Sequence, residues 1–87
     1  MDRWQTLVAA FEMDYLPGMV PWDAVGLEKS FPGATHDEQC TIRFLLNLWD
    51  HTSERSCGPF NLFAAYDTWD DIRRNAFLSW GNDPFWP

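Results

Sequence analysis

The sequence predicts an all-α fold, a compact single-domain bundle of four to five short helices over residues 1–87. Three observations carry this. Apolar residues recur at helical spacing in several stretches. Residues suited to capping stand at the start of those stretches. No run alternates apolar and polar residues for long enough to specify a strand.

The first helix is predicted over Arg3–Met13 with Asp2 as its N-cap. Trp4, Leu7, Val8, Phe11 and Tyr15 fall on one apolar stripe. Leu16-Pro17-Gly18 ends the segment, since proline cannot continue a helix and glycine turns freely. A short second helix is predicted to start at Pro21, with Trp22, Val25 and Leu27 facing inward. Phe31-Pro32-Gly33 closes it.

The third helix has the clearest signal. Thr35 and Glu38 have the spacing of a capping box. Cys40, Ile42, Phe44, Leu45, Leu46, Leu48 and Trp49 follow, leaving only Gln39, Arg43, Asn47 and Asp50 as a polar stripe. A helix this apolar is expected at the centre of the bundle. The polar run Thr52–Ser56 reads as a loop. Gly58-Pro59 then opens a fourth helix, from Phe60 to about Tyr66. Thr68 and Asp71 repeat the cap spacing for a fifth helix, Trp69–Trp80, with Trp69, Ile72, Ala76 and Trp80 on its inner face and Phe77 beside it. Asp70 and Arg74 are placed for an i,i+4 ion pair, and Gly81 for the residue just past the helix end.

Composition narrows the function classes. The net charge is −7, from 13 acidic and 6 basic residues. Such a chain is repelled by nucleic-acid phosphates and by anionic membranes, so direct binding to either is not expected. A basic or nucleic-acid-binding protein is the expected partner, with the chain itself a monomer or homodimer. Six tryptophans raise the aromatic content to 17%. Large rings serve a small core and also dominate binding hot spots. The first residues, Met1-Asp2-Arg3-Trp4-Gln5, show no apolar signal segment and no run reaches membrane-spanning length, so a cytoplasmic location is expected.

Chemical motifs are sparse. His36, Cys40, His51 and Cys57 are zinc-ligand types. A continuous third helix would hold His36 and His51 roughly 22 Å apart along its axis, too far for one ion. Two cysteines make no disulfide scaffold, and thiols are expected in a reducing compartment. No nucleophile elbow, phosphate loop or dinucleotide fingerprint is present. Asp37-Glu38 and Asp70-Asp71 stand at helix starts, where capping explains them. No cofactor and no metal are expected, and the enzyme alternative, metal- or thiol-dependent, rests on isolated fragments such as Cys57 and His51.

The candidate partner-binding residues are Asp67, Asp70, Asp71, Arg74, Asp50, Glu54, Phe85 and Trp86. Glu12 and Asp14 form a further acidic site at the end of the first helix. Spread over one surface, such carboxylates could imitate phosphates or form a mixed acidic and aromatic contact. Two placements are open for Phe85 and Trp86: folded back beside Trp80, or exposed as an anchor. In profile, a tiny acidic chain without catalytic motifs resembles small phage or mobile-element proteins of the anti-CRISPR and anti-restriction type. That resemblance implies a non-enzymatic protein-binding inhibitor of a nucleic-acid-handling defence complex. A homodimeric structural or adaptor domain is the alternative.

Overall fold

The computed structural model describes residues 2–50 and 57–87. His51, Glu54 and the expected polar loop lie outside the described residues. Among the described residues five α-helices occur in order: α1 Arg3–Ala10, α2 Ala24–Ser30, α3 His36–Trp49, α4 Leu62–Thr68 and α5 Asp71–Asn82. A 3₁₀ turn, Phe31–Gly33, joins α2 to α3. No strand occurs among the described residues, so the all-α expectation holds. The radius of gyration is 11.7 Å, close to the roughly 12 Å of a compact domain of this length.

Asp2 caps α1 by accepting the Gln5 N–H at 2.8 Å. Trp4, Leu7, Val8 and Phe11 are buried as the stripe predicts. The helix stops at Ala10 rather than Met13, because Glu12 takes a positive φ of 53°. That turn still buries Met13 but throws Tyr15 outward, correcting its placement on the stripe. Leu16 and Met19 then return to the core.

The second helix starts three residues later than expected, at Ala24, with Asp23 before it. Leu27 is fully buried, Trp22 is half-buried, and Val25 is exposed rather than inward. Gly18, at φ +94°, lets the chain cross close to α2. A Cβ there would lie 2.3 Å from the Leu27 amide nitrogen.

Helix α3 is the central element and packs on α2 and α4. Its capping box is present, with the Glu38 carboxylate accepting the Thr35 N–H at 2.9 Å. Seven of its residues, from Cys40 to Leu48, are buried. Its polar stripe is not left to solvent. Gln39 donates to the Phe31 carbonyl at 3.0 Å, Arg43 to the Cys57 carbonyl at 2.8 Å, and Asn47 to the Gly58 carbonyl at 3.0 Å. The stripe thus fastens the segments on either side of the helix.

Helix α4 begins two residues late, capped by Asn61, which accepts the Ala64 N–H at 3.1 Å. Thr68 belongs to its last turn, so it cannot cap α5. Asp70 caps α5 instead, accepting the Arg73 N–H at 3.1 Å. The frame shift exposes Ile72, and places Gly81 inside the helix rather than past it. Ala76 and Trp69 stay buried. The core centres on Phe44, whose ring meets Phe11, Phe60, Phe77 and Trp80 at 5.3–5.8 Å and Trp69 at 6.4 Å.

Candidate functional site

The expected acidic residues are used in two ways. Asp70 is committed to structure: it caps α5 and pairs with Arg73 at 2.8 Å. The Arg73 backbone N–H and guanidinium hold its carboxyl below the usual range. The expected Asp70–Arg74 pair is therefore replaced by Asp70–Arg73. Arg74 instead turns back and donates to the Tyr66 carbonyl through both Nε and Nη2. Asp67 and Asp71 are exposed.

Side-chain bonds tie this corner to two other helices. Arg73 also donates to the Glu12 carbonyl at 3.3 Å, bringing the exit of α1 against the start of α5. Thr68 lies 3.4 Å from His36 Nδ1, joining the end of α4 to the start of α3. Tyr15 donates to Glu38 at 2.5 Å. The Thr35 hydroxyl donates to Asp37 at 2.5 Å. Carboxylates from four helical segments thus gather at one end of the molecule. Glu12, Asp14, Asp67 and Asp71 make no side-chain hydrogen bond or ion pair among the described residues.

The other expected residues lie elsewhere. Asp50 is half-buried at the end of α3, its N–H donating to the Leu46 carbonyl. Phe85 folds back on the core, under the Arg3 guanidinium at 4.2 Å. Its carbonyl accepts the Trp80 indole N–H at 2.9 Å. Trp86 sits edge-on to Trp80 at 5.8 Å and is 59% exposed. Nine residues of α5, about 14 Å at 1.5 Å per residue, separate Asp71 from Trp80, on which Trp86 packs, so the described residues of the sequence-derived set do not form one site.

A different aromatic cluster stands at the start of α1 and the end of α3, and a groove leads from it back to Glu12 and Asp14. Trp4 of α1, Trp22 and Trp49 of α3 meet pairwise at 4.8, 5.3 and 5.3 Å between ring centroids. A groove of about 580 Å³ runs beside them, walled by Trp4, Val8, Met19, Val20 and Trp22 and edged by Gln5, Glu12 and Asp14. The Trp4 and Trp22 indole N–H groups are buried and find no acceptor among the described residues. A buried donor left unpaired costs about 1–3 kcal/mol. The sequence assigns Trp4 and Trp22 to the interior. It carries no sign that residues 18 apart would meet at the edge of a groove.

No group of three metal-ligating side chains converges among the described residues. His36 is exposed, while Cys40 faces the core, where burial pushes its thiol pKa up. Cys57 is also buried, and the two cysteines form no disulfide with each other. Among the described residues no helix is long and apolar enough to cross a membrane. No protein-family model, curated protein or solved structure matches this chain.

Proposed function

We propose that the chain is a non-enzymatic, cytoplasmic protein-binding inhibitor of a basic, nucleic-acid-handling protein, of the kind phages use against CRISPR and restriction systems. The supporting observation is the acidic end. Glu12, Asp14, Asp67 and Asp71 present carboxylates without side-chain partners among the described residues. They stand on a scaffold that Arg73, Tyr15 and Thr68 lace together. Fixed negative charge of this kind competes with phosphates for a basic surface and speeds encounter with it.

The test is capture of a basic protein by the immobilised chain at low salt, followed by challenge with duplex DNA and with RNA. Capture that salt and nucleic acid reverse, and that Asp67→Asn/Asp71→Asn weakens, supports the reading. Capture indifferent to both competitors and to the double variant contradicts it.

One observation favours a second reading, a homodimeric adaptor. Phe63 on α4 is 88% exposed beside the 41%-exposed Leu62, an arrangement suited to a self-complementary contact. Sedimentation of the wild type and of Phe63→Ser separates the two. A monomer at high concentration ends the dimer reading.

A further inference from the structure

We propose that the groove beside Trp4 and Trp22 docks an extended peptide segment of a partner protein, one that carries an arginine or lysine next to an apolar residue. The inference rests on the reading of the chain as a binder of a basic protein and names the segment it grips.

The lining dictates this chemistry. The walls are apolar: Val8, Met19, Val20 and two indole rings. Val20, 64% exposed, presents the outward part of this apolar lining, while Trp4, Val8 and Met19 are buried. Glu12 and Asp14 give one edge negative charge and have no side-chain partner among the described residues. The indole N–H groups of Trp4 and Trp22 add two donors without acceptors among the described residues. An occupant that satisfies all three is apolar along its length, cationic at one end, and rich in carbonyl acceptors. A peptide backbone with one basic side chain meets that description. The groove's 580 Å³ lies within the roughly 300–1,000 Å³ of sites that enclose a small ligand, which suits a short segment rather than a whole helix face.

Other occupants fit less well. A nucleotide or phosphate would face Glu12 and Asp14 with no basic residue in the lining. A neutral apolar molecule would leave the carboxylates and both donors unanswered. A quaternary ammonium cannot sit between the tryptophans, since their centroids are already within 5.3 Å of one another. The cation therefore belongs at the carboxylate edge. A second copy, docked about a two-fold axis, would oppose the same acidic edge to itself. Seating a peptide carbonyl on either indole requires that ring to turn, because both N–H groups are covered in the free protein.

That ring motion gives the readout. The full chain, labelled with ¹⁵N, is titrated with acetyl-Ala-Leu-Arg-Leu-Ala-amide and, in parallel, with the same peptide carrying Glu in place of Arg. The Trp4 and Trp22 indole resonances, identified through Trp4→Phe and Trp22→Phe, are followed against Trp69, whose N–H is held by Thr41. The arginine peptide is expected to shift the first two saturably and to leave Trp69 in place. Glu12→Gln/Asp14→Asn should weaken it about three- to ten-fold, as two lost rim charges would. Asp67→Asn/Asp71→Asn should leave it within about two-fold. Resonances that stay fixed up to millimolar peptide, that respond equally to the glutamate peptide, or that move only with protein concentration overturn the proposal. Peptide binding without capture of any basic protein would keep the groove assignment and remove the inhibitor reading. Salt-sensitive capture with no peptide response would do the reverse.

Discussion

The indole N–H of Trp69 donates to the Thr41 hydroxyl at 2.9 Å, across 28 residues and inside the core. Thr41 in turn donates to the Asp37 carbonyl one turn earlier in α3, at 3.1 Å. Thr41 is fully buried, and this relay explains how a polar residue is accommodated there. It also joins α3 to the short connection between α4 and α5. Thr41→Val keeps the shape but strands the Trp69 donor, and should destabilise the fold by about 1–3 kcal/mol. Denaturant unfolding checks this. In the Trp69→Phe background the same substitution should cost much less, since no donor remains to be stranded.

Gly18 lets backbone pass backbone. Any Cβ meets the Leu27 N, the Asp23 carbonyl oxygen and the Leu27 Cα at 2.3–2.8 Å. These are main-chain atoms, and φ is +94°. Gly18→Ala should therefore cost more than about 2 kcal/mol. Gly33→Ala, with nothing near its Cβ, is the control and should be nearly silent in thermal unfolding.

The Tyr15–Glu38 bond makes a pH prediction. Donation to the Glu38 carboxylate pushes the Tyr15 phenol up to about 12, and the same bond lowers the Glu38 pKa. The folded phenol is thus harder to ionise than the unfolded one. Its contribution is present below pH 10 and fades as pH rises from about 10 to 12. Ultraviolet titration should show Tyr15 ionising late, near 12. Glu38→Gln should bring it back toward 10, the ordinary value.

Asp70 and Glu38 act at the acid end. Both carboxyl pKa values are lowered, Asp70 chiefly by the Arg73 backbone N–H and Glu38 chiefly by Tyr15. Their contribution is present above the ordinary carboxylate range and is lost as pH falls through the folded values. Asp70→Ala should cost about 0.5–2 kcal/mol at neutral pH, as a lost N-cap does. It should also flatten the acid limb of the stability profile measured by chemical denaturation.

Much of the fold was legible in local pattern. The Thr35–Glu38 box and the apolar density after it place α3 within a residue. The errors have one physical origin, competition between neighbouring local signals. Phe11 and Tyr15 look like a continuing helical stripe, yet a turn at Glu12 ends the helix, burying Phe11 and Met13 and turning Tyr15 outward. Thr68 and Asp70 both suit a cap, and Asp70 prevails because Thr68 is still needed to finish α4. That two-residue shift moves Ile72 outward and swaps the partner of Asp70 from Arg74 to Arg73. The acids of the candidate surface were visible one by one. Their gathering depends on tertiary bonds such as Arg73 to the Glu12 carbonyl, 61 residues apart. The tryptophan groove depends on how the segment after α1 folds back, which no local pattern specifies.

In the proposed function, carboxylates at one end of the bundle, without side-chain partners among the described residues, bind a basic protein in place of nucleic acid. Competition between the chain and a labelled duplex for the captured partner, run at increasing salt, tests it most directly. The wild type should displace the duplex at low salt, less so as salt screens the carboxylates, and Asp67→Asn/Asp71→Asn should displace it poorly. A partner that binds chain and duplex together, with affinity unchanged by salt or by the double variant, would contradict it.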